Sequence, residues 1–163
     1  MSESTNSTGL TRPSRRPRPA LPEGEEEPAP LTPDLLHRAL PAVLDHFRIT
    51  DWDVLMVGDG SGYSWNIGSG WAGVLIDRHT LSRKLYWGGW STGTIMTAEL
   101  MPYIHGLAWY ESNHAAARRA QLRKAVLSVH VISDNKTVVD QGNHDVGRNK
   151  MLPWWACWAA YLR

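Results

Sequence analysis

Between Asp53 and Ile132 the apolar residues come in an order that few folds accommodate. Three short runs come first: residues 53–58 (DVLMVG), 71–76 (WAGVLI) and 83–90 (RKLYWGGW). Gly60, Gly62, Gly68 and Gly70 punctuate the first connection. Short apolar runs separated by glycine-rich turns predict a meander of three antiparallel strands. The period then changes. Over residues 95–111, Leu100, Ile104, Leu107 and Ala108 predict one apolar face of a helix. The branched run 126–132 (VLSVHVI) predicts a further strand. A strand, a helix and another strand suit a crossover to a parallel neighbour. The expected fold is therefore α/β, a mixed sheet of three antiparallel strands with a crossover helix and a parallel fourth strand. A short helix over 135–141, a polar loop through Lys150 and a helix after Pro153 complete the reading.

A chain of 163 residues has room for one such domain. Seven of its ten prolines fall within residues 1–33, beside a basic block (Arg12, Arg15, Arg16, Arg18) and an acidic one (Glu23, Glu25, Glu26, Glu27). That composition buries too little apolar surface to offset its ordering entropy, so residues 1–33 are expected to be a disordered tail. Over 34–50, Leu35, Leu36, Ala39, Leu40, Val43, Leu44 and Phe47 share a broad helical face, predicting an accessory helix. Thr32 or Asp34 would cap it, and Pro41 should kink or split it. Residues 51–163 form the main domain.

Charge and cysteine content exclude several classes. Seventeen Lys and Arg against sixteen Asp and Glu leave a net charge of +1, unlike a polybasic protein. The lone Cys157 excludes an intramolecular disulfide and a Cys-rich zinc site. The first residues are polar, and no stretch approaches the ~20 apolar residues of a membrane helix. The expected setting is the cytoplasm, with phage or virion association equally compatible and no membrane partner.

Three acids stand at informative places. Asp59 ends the first strand within GDGSG, Glu99 lies near the start of the long helix within TAELM, and Asp134 ends the fourth strand within ISDNK. If the first and fourth strands are parallel neighbours, Asp59 and Asp134 emerge side by side and the helix brings Glu99 to both. Close carboxylates repel unless cations neutralise them. All-oxygen ligands suit Mg²⁺ or Mn²⁺. Two such ions ~4 Å apart suit in-line displacement at phosphorus. Singly, an Asp at a strand end is an ordinary turn former and a Glu in a first helical turn an ordinary dipole partner. The GDGSG segment lacks the GK[ST] ending of a Walker phosphate loop, which disfavours a nucleotide hydrolase.

The ordered set resembles the ribonuclease H family. It comprises Asp59-Gly60-Ser61 after Leu55-Met56-Val57, then WAGVLIDR, then Ala98-Glu99-Leu100-Met101, then Ser133-Asp134-Asn135. The resemblance covers roughly residues 53–162 and makes 51–163 an RNase H-like domain. It implies a divalent-metal-dependent nuclease that cleaves the RNA strand of RNA–DNA hybrids or another nucleic acid. Asp59 would bridge two ions, with Glu99 and Asp134 each helping to hold one. The wider superfamily also includes integrases, transposases, junction resolvases and exonucleases, so a recombinase-like catalytic fragment is a further reading.

The sequence departs from the family pattern in two ways. Family members add a fifth strand and a last helix bearing a fourth carboxylate, so the domain reads as C-terminally shortened. Asp140 and Asp145 are the available substitutes, and His144 faintly resembles the family's mobile histidine loop. Pro102 falls inside the helix carrying Glu99, so that helix is expected to start near Met101 or bend there. Trp154, Trp155, Trp158 and Tyr161 crowd the last segment, suggesting a homodimer or a second chain that completes the fold. On that basis a noncatalytic structural or interaction subunit is the competing function. Arg118, Arg119, Arg123, Lys124, Arg148 and Lys150 are the candidate phosphate contacts, with Ser61 and Asn66 near the sugar or phosphate.

Overall fold

The computed structural model describes residues 24–62, 68–90 and 94–143. Two short strands come first, β1 (Gly24–Glu25) and β2 (Ala29–Pro30). The predicted meander follows, with longer strands: β3 is Val54–Gly62, β4 Ser69–Asp77 and β5 Ser82–Trp90. The last strand is β6 (Val129–Ile132). The sheet order is β1-β5-β4-β3-β6, with β2 also paired to β5. All pairings are antiparallel except β3 with β6, which is parallel, and the crossover between β3 and β6 carries the long helix α2 (Ile95–Tyr110). The α/β class with a mixed sheet is thus as expected. The first half of β3 is buried on both faces, which explains its unbroken apolar sequence.

Alternation along β3 sends its side chains to two cores. Val54 and Met56 join Trp71, Leu75 and Tyr86 under Leu100, Tyr103 and Ile104 of α2. Leu55 joins Ile76, Trp52, Leu31 and Leu40 on the opposite face. That second core is roofed by a π-helical turn (Leu35–Ala39) running into α1 (Leu40–His46). The switch from turn to helix comes just before Pro41, which occupies the first turn of α1, where its missing N–H leaves no bond unmade. Thr32 Oγ1 accepts a hydrogen bond from the Leu35 N–H at 3.3 Å, whereas Asp34 makes no side-chain cap.

Three expectations need correction. Residues 24–30 are not disordered, because from Gly24 the chain runs antiparallel along β5. Composition favoured disorder there, but the edge of β5 offers backbone partners, and the buried Lys84 ammonium binds the Glu25 carboxylate and the Glu26 carbonyl oxygen. Residues 1–23 lie outside the described residues. The helix bearing Glu99 does not start near Met101. It begins at Ile95, where Thr94 Oγ1 accepts from the Thr97 N–H at 3.1 Å. Pro102 is tolerated because its ring is buried against Gly58, where an added Cβ would fall 2.4 Å from the proline Cβ. Finally, the segment after α2 that carries the candidate phosphate contacts Arg118 and Arg119 is helical. A π-helical turn (Glu111–Ala115) leads into α3 (Ala116–Leu122), which ends at Arg123 in the left-handed region, φ 54°. The short helix α4 (Lys136–Asn143) follows β6, and the aromatic segment after Pro153 lies outside the described residues.

Candidate metal centre

Register brings two of the three acids together. Val57 of β3 pairs with Ile132 of β6 in parallel. Two residues further along each strand stand Asp59 and Asp134. Asp59 lies within β3, which continues through Gly62, rather than at its end. Asp134 sits between β6 and α4, held by capping: Asn135 Oδ1 accepts from the Thr137 and Val138 N–H groups at 2.9 and 3.3 Å, and Ser133 Oγ accepts from the Asn135 N–H at 3.1 Å. The third acid arrives from α2. One carboxylate oxygen from each of Asp59, Glu99 and Asp134 lies within 4.8 Å of the others.

The approach of α2 depends on glycine. A Cβ added at Gly60 would lie 2.3 Å from the Glu99 nitrogen and 2.2 Å from the Ala98 carbonyl carbon. Helix backbone therefore rests directly on strand backbone at the turn that carries Glu99. Tyr103, one turn further along α2, closes the arrangement. Its hydroxyl lies 2.7 Å from the Gly58 carbonyl oxygen and 2.8 Å from that of Ile132, sharing its proton between them. A single buried side chain thus ties the residue before Asp59 to the strand end before Asp134.

The electrostatics suit a cation. Asp59 and Asp134 are exposed, whereas Glu99 is 8 % exposed and its Oε2 has no hydrogen-bond partner among the described residues. Burial, then the charges of Asp59 and Asp134, hold the Glu99 carboxyl above the ordinary range, against the pull of the Asn135 side chain and the Gly60 N–H. A buried acceptor-only oxygen facing two further carboxylates is costly by itself and favourable beside a divalent ion. The donor set is all oxygen, which fits Mg²⁺ or Mn²⁺.

Asp59 also opens onto a groove of about 460 Å³ on the sheet face opposite α2, lined by Ser61, Gly70, Trp71, Ala72, Trp87 and Gly88. Ser61 was expected near a ligand. Trp87 and Tyr103 were not expected at the site, nor was the helix contact at Gly60. Glycines at alternate positions 58, 60 and 62 of one strand were the available signal that a helix packs closely there.

The basic residues behave differently from expectation. Arg118 is buried and its guanidinium meets Asp77 at 3.0 Å. Arg119 pairs with Glu111, and Lys124 lies 3.2 Å from the buried carboxylate of Asp53. Three of the four are therefore engaged in ion pairs within the fold, while Arg123 is exposed. Asp140 pairs with Lys136 on the surface of α4 and is not among the clustered acids. His144, Asp145, Arg148, Lys150 and Asn66 lie outside the described residues.

No protein-family model matches the chain, and a search of curated proteins returns no match. Among the described residues, no helix is long and apolar enough to cross a membrane.

Proposed function

We propose that the chain is a divalent-metal-dependent nuclease that hydrolyses phosphodiester bonds, with the RNA strand of an RNA–DNA hybrid as the first substrate to test. The observation that carries this reading is the convergence of Asp59, Glu99 and Asp134 within 4.8 Å, with a buried, unpartnered Glu99 oxygen among them. The parallel β3–β6 pair and the position of α2 agree with the ribonuclease H resemblance of the motifs. In this reading Asp59, Glu99 and Asp134 would hold divalent Mg²⁺ or Mn²⁺. Bound there, such ions would supply Lewis acidity for phosphodiester hydrolysis. The protein contributes a fixed carboxylate spacing, set by the β3–β6 register, the Gly60 contact and the Tyr103 hydroxyl. It also excludes water from one side of Glu99.

The test is a cleavage assay on labelled hybrid, duplex and single-stranded substrates with Mg²⁺ and with Mn²⁺. The parent chain is compared with Asp59→Asn and Asp134→Asn. Loss of cleavage in both variants supports the site. Cleavage by the parent that neither substitution changes refutes it. A parent that binds nucleic acid and divalent ions without cutting any substrate turns the assignment to a noncatalytic subunit.

A further inference from the structure

We infer that the groove beside Asp59 takes one unpaired nucleotide of the bound strand, its base stacked on Trp87 and its phosphate directed to the carboxylate cluster. The inference rests on the nuclease reading and adds to it a substrate class, strands with an unpaired base next to the reacting phosphate.

The register makes the groove. Asp59 pairs across to Ala72, and Ala72 across to Trp87, so the three share one face of three adjacent strands. Two strand spacings separate Asp59 from Trp87, about 10 Å between backbones. The residue between them is only a methyl group. Gly70 and Gly88 contribute no side chains beside it. The result is a trough with a carboxylate and the Ser61 hydroxyl on one side and an indole on the other. With divalent ions on the carboxylates, the Asp59 side attracts phosphate while the Trp87 side offers only an aromatic surface. A nucleotide has that same polarity, an anionic end and a flat aromatic end.

Trp87 is built as a platform. It is 41 % exposed, although tryptophan is highly buried on average. Its ring is also braced, because Gly24 of β1 lies against it so closely that a Cβ there would fall 2.6 Å from the indole. The ring is therefore held in place by backbone while much of it stays open, as stacking on a base requires. A base inside a continuous duplex already stacks on its neighbours and cannot reach a side chain on the groove wall. Only an unpaired nucleotide can occupy the trough.

The experiment is fluorescence anisotropy with a short, nuclease-resistant phosphorothioate oligonucleotide in Mg²⁺, using the full chain. The ligands are this single strand, its fully paired hybrid, and a strand of the same length built from abasic nucleotides. Trp87→Ala should lose roughly 5- to 100-fold in affinity for the single strand, the range of one base–aromatic stack. It should bind the abasic strand as the parent does, and Trp87→Phe should recover most of the loss. Near-UV spectra and thermal melting establish that the variants remain folded. Equal single-strand affinity of parent and Trp87→Ala overturns the inference. So does a Trp87→Ala loss equally large on the abasic strand. Self-association of the parent that Trp87→Ala abolishes without any effect on oligonucleotide binding also overturns it and gives the groove to a second copy. Cleavage that still requires Asp59 while Trp87 proves irrelevant removes only this inference. Cleavage independent of Asp59 removes the nuclease reading itself.

Discussion

Gly60 and Glu99 meet backbone to backbone, with the position of a Gly60 Cβ only 2.3 Å from the Glu99 nitrogen. Any side chain at residue 60 must therefore push α2 away from β3, and it does so at the turn that carries a proposed ligand. Gly60→Ala is expected to cost about 1–3 kcal/mol of stability, the usual range for overpacking a close contact. It should also weaken Mn²⁺ binding at least tenfold. Urea unfolding and Mn²⁺ titration followed by electron paramagnetic resonance measure the two effects. Unchanged ion affinity would show that helix placement does not set the cluster.

The hydroxyl of Tyr103 makes a finer adjustment. Tyr103→Phe keeps the ring in the core and removes only the hydrogen bonds to the Gly58 and Ile132 carbonyl oxygens. Two buried acceptors are then without their protein donor, at a cost of about 1–3 kcal/mol. The parallel ends of β3 and β6 are no longer tied together, so divalent-ion affinity should fall while far-UV spectra stay the same. Calorimetric titration with Mg²⁺ on both proteins tests this.

Glu99 links stability to pH and to metal. Its folded carboxyl titrates above the unfolded value because of burial first and neighbouring charge second. A raised pKa means that the associated stability is fully present below the unfolded pKa, near 4.5. It is lost as pH rises through the folded pKa. Above that folded pKa, and without divalent ions, the buried Glu99 carboxylate is therefore a strained element. Glu99→Gln should raise the melting temperature of the metal-free protein and abolish most of its response to Mg²⁺. For the parent, an ion at 100 times its Kd adds about 2.7 kcal/mol, or roughly 5–10 °C for a domain of this size. Differential scanning calorimetry with and without Mg²⁺ reads both quantities, and a Glu99→Gln protein that responds like the parent contradicts the site.

How much of this was legible in the residues follows from what kind of information each feature uses. The meander, the crossover helix and the parallel strand follow from local periodicity, which the chain carries plainly at 53–58, 71–76, 83–90, 100–108 and 126–132. The meeting of Asp59, Glu99 and Asp134 was legible because each acid follows or opens a predicted element, so topology alone placed them together. Gly24–Pro30 was not legible. It is held by backbone pairing to β5 and by the charge of Lys84, neither of which has a local pattern. The roles of Arg118 and Lys124 were hidden for a related reason. A basic residue reads the same whether its partner is a phosphate or an acid from a distant segment, and Asp77 and Asp53 are 41 and 71 residues away.

Asp53 gives an acid-stability prediction. It is 1 % exposed and accepts from the His79 ring Nε2 at 2.8 Å, the Ser128 N–H at 2.8 Å and Lys124 Nζ at 3.2 Å. Burial alone would raise its pKa, but the Ser128 N–H, His79 and Lys124 together outweigh burial and lower it to about 2. A depressed folded pKa means that its stability is present above the unfolded value of 3.8 and is lost as pH falls toward 2. The linked contribution is on the order of 2 kcal/mol. Asp53→Asn should remove that share of the acid dependence between about pH 4 and pH 2. Urea midpoints at a series of pH values compare the slopes. A parallel pair of curves would mean that Asp53 is not the titrating group.

Arg118 separates a structural cation from one that binds nucleic acid. Its guanidinium donates to both oxygens of Asp77, at 3.0 and 3.3 Å, while Tyr110 donates to the same carboxylate at 3.1 Å. The Asp77 side chain is 6 % exposed and that of Arg118 8 %. Burial works against the charged form of each, yet Asp77 is pulled down by the Thr80 and His79 N–H groups and by Arg118, and Arg118 is held up by Tyr110 and Asp77. Removing one partner leaves a buried charge without its counter-ion, which costs about 3–5 kcal/mol. Arg118→Ala should therefore destabilise the fold by about that amount, measured by chemical unfolding. At temperatures where it remains folded, it should bind oligonucleotides with the parent's dependence on salt. Arg123→Ala makes the contrast, since this exposed residue ends α3 without a buried partner. Removing a cation that neutralises one phosphate makes the slope of log affinity against log salt shallower by about 0.7–0.9. A shallower slope in Arg118→Ala with little change in stability would return Arg118 to the nucleic-acid interface.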